Sequence, residues 1–242
     1  MAGVLALVAA PAAAQGVAPL DLLGAAADGG DGSLAERAIQ ILLLVTVLSI
    51  VPGLAVTITC FPFVVTVLSI LRQALGMQQS PPNMLIISLA LFLSWFVMEP
   101  VMTAAWTDGV EPYVAGTIPL EEAASRAVAP FRTFMAARAA PDTLQTLADL
   151  RPGSGAGGDA REAPLSLLVP AFLLSELARA FQVGFLVFLP FLVIDLVVAA
   201  VLMSMGMMMV PPAIVSLPFK LAFFVVADGW SLIAASLVRG YG

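Results

Sequence analysis

The chain has 242 residues, of which 61% are hydrophobic and 11% charged. Soluble domains carry roughly a quarter charged residues, so this chain belongs in a membrane or inside a large apolar assembly. A net charge of −6 without a basic patch argues against nucleic acid as a partner. The lack of histidine and the single cysteine, Cys60, exclude an intrachain disulfide, the usual zinc sites and Ser-His-Asp or Cys-His catalysis.

Residues 1–14 read as a secretory signal peptide. A short apolar run ends at Ala12-Ala13-Ala14, which suits cleavage before Gln15. The run lacks Lys and Arg, so the competing reading is an uncleaved Ala-rich start. Residues 15–37, with Asp21, Asp28, Asp31 and Glu36, read as a flexible acidic lead-in. An apolar helical region is expected over 38–107. Ala38 to Leu71 is 34 residues without a charge, where roughly 20 would span a bilayer core. Pro52-Gly53 and Pro62 predict a helix, a break and a second helical piece. Arg72 stands in the loop RQALGMQQSPPN, and a second apolar run follows from Met84 to Thr107, interrupted by Glu99 and Pro100.

Residues 108–163 differ sharply. The stretch 108–162 holds 13 of the chain's 26 charged residues and nets −3. It reads as a small helical domain outside the membrane, with Glu122 and Arg126 paired at i,i+4. Pro130 is expected to open a second helix and Asp142 a third, with Leu144, Leu147 and Leu150 facing inward. GSGAGG at 153–158 matches a nucleotide-binding spacing literally, but no strand precedes it, so it reads as a linker. Residues 164–242 are apolar again and predict helices over 167–206, kinked at Pro190, and 213–238. Counting Lys and Arg puts the 72–83 loop in the cytoplasm and the central domain outside.

Ionisable groups in apolar helices cost several kcal/mol unless paired or wet. Glu99, Glu176, Arg179, Asp195, Lys220 and Asp228 are therefore candidates for interhelical pairing or for lining a pore. Glu176 and Arg179 can pair locally, whereas Lys220 must find its partner on another helix or another subunit. A second cluster is MSMGMMMVPP at 203–212, with five methionines ahead of two prolines. Thioether side chains repack around changing partners, so one such set per subunit would make a deformable seal. Core filler and a copper(I) thioether site are the competing readings.

The stretches TVLSIVPGLAVTITCF, LRQALGMQQSPPNMLIISLALFLSWFVMEPV, PAFLLSELARAFQVGFLVFLPFLVIDLVVAAVLMSMGMMMVPP and LPFKLAFFVVADGW resemble the FliP/SctR family of bacterial type III secretion export-gate proteins. The resemblance runs from about residue 42 to 235 and implies an all-α, membrane-associated fold of long kinked helical hairpins with a small helical extracytoplasmic domain. It implies a ring of several copies, a pentamer, assembled with FliQ-type and FliR-type subunits and meeting FlhA/FlhB-type components in the inner membrane at the flagellar basal body. Unfolded proteins would be the cargo, with neither catalysis nor a cofactor in this chain. Met207, Met208 and Met209 match the family's methionine gasket, and Glu176 and Lys220 match an inter-subunit pair. Phe63 departs from the Arg of many relatives. The signal peptide and PFRTFM favour the flagellar branch over the injectisome one. The alternative reading is an ion-coupled transporter with Glu99, Glu176 and Asp195 as proton sites.

Overall fold

The computed structural model describes residues 31–77, 81–150, 159–207 and 209–241. The expected signal peptide, most of the expected acidic lead-in, the GSGAGG stretch and Met208 lie outside the described residues. Every regular element among the described residues is helical. Two helical runs, Asn83–Val114 and Leu165–Ser204, are long and apolar enough to cross a membrane.

The chain divides into two compact units, residues 1–54 and 55–242. Helix α1 spans Asp31–Thr57. It starts inside the expected lead-in, where Leu34 to Ala38 are all good helix formers. It also runs through Pro52-Gly53, contrary to the expected break. A proline removes one N–H, and an apolar helix tolerates that loss where other groups satisfy the freed carbonyl. Thr46 and Ser49 donate back to the carbonyls of Leu42 and Val45 at 2.7 Å, which satisfies both hydroxyls within the helix.

In the second unit the break falls at Ile58–Cys60, and α2 follows from Phe61 to Ala74 with Pro62 in its first turn. This helix is the centre of the core. Phe63, Val64, Val67, Leu68, Leu71 and Ala74 are buried on it, and it packs along both α3 and α7. Arg72 belongs to its last turn rather than to a loop, and donates to Asn83 Oδ1. Gly76 ends the helix at φ +79°, a left-handed conformation that glycine adopts without strain.

Helix α3 spans Asn83–Ala105 and buries Ile86, Ala90, Ser94 and Met98. That is one residue in four, a narrow stripe, and Phe92, Trp95 and Phe96 stay exposed. The run continues through a π-turn, Trp106–Val110, into the short α4, Glu111–Val114. Helix α5 spans Leu120–Arg138 as one piece. Pro130 sits inside it instead of opening a new helix. Helix α6, Pro141–Asp149, buries Leu144 and Ala148 and leaves Leu150 76% exposed. The helix ends before Leu150, so its inward period stops there. Both α5 and α6 pack on α7.

Helix α7 runs from Leu165 to Ser204 through Pro170 and Pro190. Its 40 residues extend about 60 Å at 1.5 Å each. The expected final helix is two, α8 (Pro212–Val226) and α9 (Gly229–Arg239), bent by 63°. Asp228 makes the corner at φ 48°, and Gly229 packs so close to the Phe224 ring that a Cβ there would sit 2.2 Å from Cε2.

Candidate functional site

Glu176, Arg179, Asp195 and Lys220 gather at two polar nodes, and the methionines of 203–209 form a loop. The first node is built on Glu176, fully buried on α7. Its Oε1 accepts Arg138 Nε at 2.9 Å and Arg179 Nη1 at 3.3 Å. Its Oε2 accepts the hydroxyl of Tyr241. Arg138 ends α5, donates from Nη1 to the Gly240 carbonyl at 2.7 Å, and holds its guanidinium 4.0 Å from the Tyr241 ring centre. The Tyr241 ring stacks on Phe134 and meets Phe63 edge-on. Burial, and next the negative charge of Glu176, push the Tyr241 hydroxyl well above its ordinary pKa. It therefore serves Glu176 as a donor. Phe63 fills this aromatic layer. Nearby, burial raises the Cys60 thiol to about 11, so it packs as a small neutral group.

The second node joins α7, α8 and the end of α2. Lys220 Nζ donates to Asp195 Oδ2 at 2.6 Å and to the Ala74 carbonyl at 3.0 Å. Asp195 Oδ1 accepts Ser216 Oγ at 2.6 Å. A cation at the carbonyl end of α2 also suits the helix dipole. Lys220 is nearly buried and Asp195 a third exposed, so the pair is partly shielded from water.

Glu176 and Lys220 are thus not each other's partners within the chain. Each has a nearer oppositely charged group, because α5 delivers Arg138 to Glu176 and the α7–α8 packing delivers Asp195 to Lys220. Arg179 joins Glu176 at the local spacing. Asp228 accepts Ser231 Oγ at 3.1 Å at the α8–α9 corner, and Glu99 is exposed on α3. Arg138, Ser216 and Tyr241 were not foreseeable as site residues. Arg138 lies in the polar stretch, and neither Ser216 nor Tyr241 stands in a charged pattern.

The methionine loop lies between α7 and α8. Gly206 adopts φ +75° and closes α7, with Met207 N donating to Leu202 O at 3.0 Å. Pro211 and Pro212 then open α8. Met203, Met205 and Met207 are exposed, and Met209 is 97% exposed. Met205 and Met207 border an open apolar cleft of about 540 Å³ between the two helices, lined also by Val197, Val201, Val215 and Phe219. A helix break thus carries thioether side chains outward.

The model of the FliP family matches residues 44–237. The flagellar biosynthetic protein FliP of Caulobacter vibrioides is 48% identical over 217 residues, covering 88% of this chain and 80% of that protein. The protein of the same name from Agrobacterium fabrum is 46% identical over 212 residues, 87% of this chain and 86% of its own length. That of Bacillus subtilis is 44% identical over 207 residues, 84% and 91%. With the match covering Arg138, Glu176, Asp195, Lys220 and the methionine loop, the chain belongs to the FliP family.

Proposed function

We propose that this chain is a subunit of the flagellar protein-export gate in the bacterial inner membrane. Several copies, five by the family resemblance, assemble with FliQ-type and FliR-type membrane subunits and hand cargo on from FlhA/FlhB-type components. The chain does no chemistry of its own. It forms the wall and the seal of a channel for unfolded flagellar proteins, with Met207, Met208 and Met209 as the seal.

The observation that carries this reading is the loop at 203–212. A soluble or lipid-facing hinge gains nothing from Met209 standing 97% exposed between two apolar helices. A ring of such loops closes on itself through soft, unbranched side chains and yields to varied polypeptides. The scarcity of burial supports assembly as well. Only 11% of the most apolar window of α7 is buried within the chain, and 22% of that of α3. Of the three carboxylates the transporter reading needs, Glu176 and Asp195 are engaged in ion pairs, which leaves Glu99 alone free to exchange protons.

Purification of the tagged chain under mild detergent tests the proposal. A large complex containing several copies and two small membrane proteins is expected. A monomer or simple dimer that transports alone would overturn it.

A further inference from the structure

Three glycines among the described residues take a left-handed backbone, Gly76, Gly116 and Gly206, and each follows the end of a helix. A Cβ at Gly76 would meet Leu217 Cδ1 at 3.7 Å and Lys220 Nζ at 3.9 Å. One at Gly116 or Gly206 would meet nothing within 4 Å. At those two positions a side chain strains the backbone without touching anything.

Gly206 stands inside the methionine loop. Its N–H donates to the Met203 carbonyl at 3.1 Å, and that of Met207 donates to the Leu202 carbonyl at 3.0 Å. This pair of bonds forms only when the residue between Met205 and Met207 is left-handed, and Gly206 has φ +75°. The bonds turn the chain out of the helix and bring Met207 to the α7–α8 cleft, which Leu202 also lines. Val210 N then donates to the Met207 carbonyl at 3.3 Å, and Pro211 leads into α8.

A right-handed residue at 206 would let α7 run on toward Pro211, which disfavours helix at the residue before it. At about 100° per residue, Met207 would then stand about 140° round the helix from Leu202, on the side of Met203 and Ser204. That side is exposed, whereas Leu202 is buried. The thioether would leave the cleft, and the segment that joins α7 to α8 would shorten by as many residues as the helix gained. Gly206 has no side chain to give to a seal, yet its backbone decides where the methionines after it stand.

We propose that Gly206 is the positioning residue of the methionine seal, acting through Met207. The inference rests on the reading that this loop closes the channel, and it adds to that function a residue with neither sulfur nor charge. The test uses the whole complex with its partner subunits and compares Gly206→Ala with Gly116→Ala. Gly116 has φ +71° after α4 and the same pair of bonds, Thr117 N to the Pro112 carbonyl and its own N to that of Tyr113, both 2.9 Å. The two substitutions therefore impose the same strain, one inside the loop and one far from it in sequence. A Cβ disfavours the left-handed backbone by roughly tenfold, so Gly206→Ala should misplace most of the loops and raise resting small-solute leak by about that factor. Gly206→Asn should recover most of the seal, because Asn tolerates this conformation. Gly116→Ala should assemble in the same yield as Gly206→Ala and leak no more than the wild type.

Equal leak from the two Ala variants, or a Gly206→Asn complex as leaky as Gly206→Ala, overturns the positioning role. Failure of Gly206→Ala to assemble overturns it as well, since the glycine would then hold the fold and not the seal. A tight Gly206→Ala complex, beside one that leaks when Met207, Met208 and Met209 are all cut to Ala, overturns it and leaves the seal reading standing. A methionine triple variant that stays tight overturns the seal reading first.

Discussion

Tyr241 donates its hydroxyl to the buried carboxylate of Glu176, and so ties the chain after α9 to the middle of the fold. The same carboxylate receives Arg138 from α5. Three segments far apart in sequence therefore share one anion. Removing that anion leaves Arg138 largely buried without its counter-charge, which costs on the order of 3–5 kcal/mol. Glu176→Ala is expected to abolish stable protein, read as loss of the folded band after detergent extraction.

Tyr241→Phe should be milder. It keeps the ring against Phe63 and Phe134 but drops a hydrogen bond to a charged group, worth about 1.5–3 kcal/mol. The sign of its pH dependence follows from the raised hydroxyl pKa. The native state favours the protonated phenol, so this stabilisation is full below the ordinary tyrosine value of 10.0 and declines as pH rises above it. Thermal unfolding of the wild type should weaken in strong alkali more than that of Tyr241→Phe. Equal alkaline losses in the two proteins would contradict the assignment.

Lys220 and Asp195 allow a direct choice between two pairings. Lys220→Ala leaves Asp195 with Ser216 alone, and the cost should fall near the lower end of about 3–5 kcal/mol because Asp195 is a third exposed. Exchanging the charges, Asp195→Lys with Lys220→Asp, should recover part of the loss. Exchanging Glu176 with Lys220 should not, because each would then face its former partners with the wrong sign. Recovery by the second exchange and not the first would favour a Glu176–Lys220 contact between copies. Levels of assembled complex measure both.

Glycines mark two close helix crossings. A Cβ on Gly184 would lie 2.4 Å from Ile70 Cδ1, the end of a side chain on α2. A Cβ on Gly109 would lie 2.6 Å from the Ala127 backbone nitrogen on α5, which cannot move aside. Overpacking of this kind costs about 1–3 kcal/mol. Gly184→Ala should be rescued by Ile70→Val or Ile70→Ala, whereas Gly109→Ala should have no single rescuing partner. Unfolding midpoints of the single and double variants check the coupling.

The sequence made some of this plain and hid the rest for physical reasons. Long charge-free runs announce apolar helices, and the Pro pair at 211–212 announces the start of α8. Prolines inside α1 and α5 misled, since a proline is a breaker only where nothing compensates its missing N–H. The corner at Asp228 gave no signal, because it is a non-glycine residue in a left-handed conformation. Charges in apolar helices identified Glu176, Asp195 and Lys220, but pairing depends on tertiary approach. Arg138 is 38 residues from Glu176, and Tyr241 is 65. No local spacing rule reaches that far.

The methionine loop gives the sharpest test of the channel. Met207 is exposed and Met209 almost wholly so, and neither holds helices together within the chain. Cutting Met207, Met208 and Met209 to Ala should therefore leave the complex intact while removing bulk from the seal. A ring that lost three thioethers per copy would pass small ions and solutes at rest. Replacement of all three by Leu keeps bulk and apolarity but gives up the unbranched, flexible stem. Sealing should persist there while export slows, because branched side chains yield less readily around passing polypeptide. A copper(I) site predicts otherwise: metal binding lost in both variants and leak in neither. Conductance or small-solute uptake in cells expressing the complex separates the outcomes, with secretion measured in parallel. An Ala triple variant that stays tight and exports normally would remove the loop from the seal.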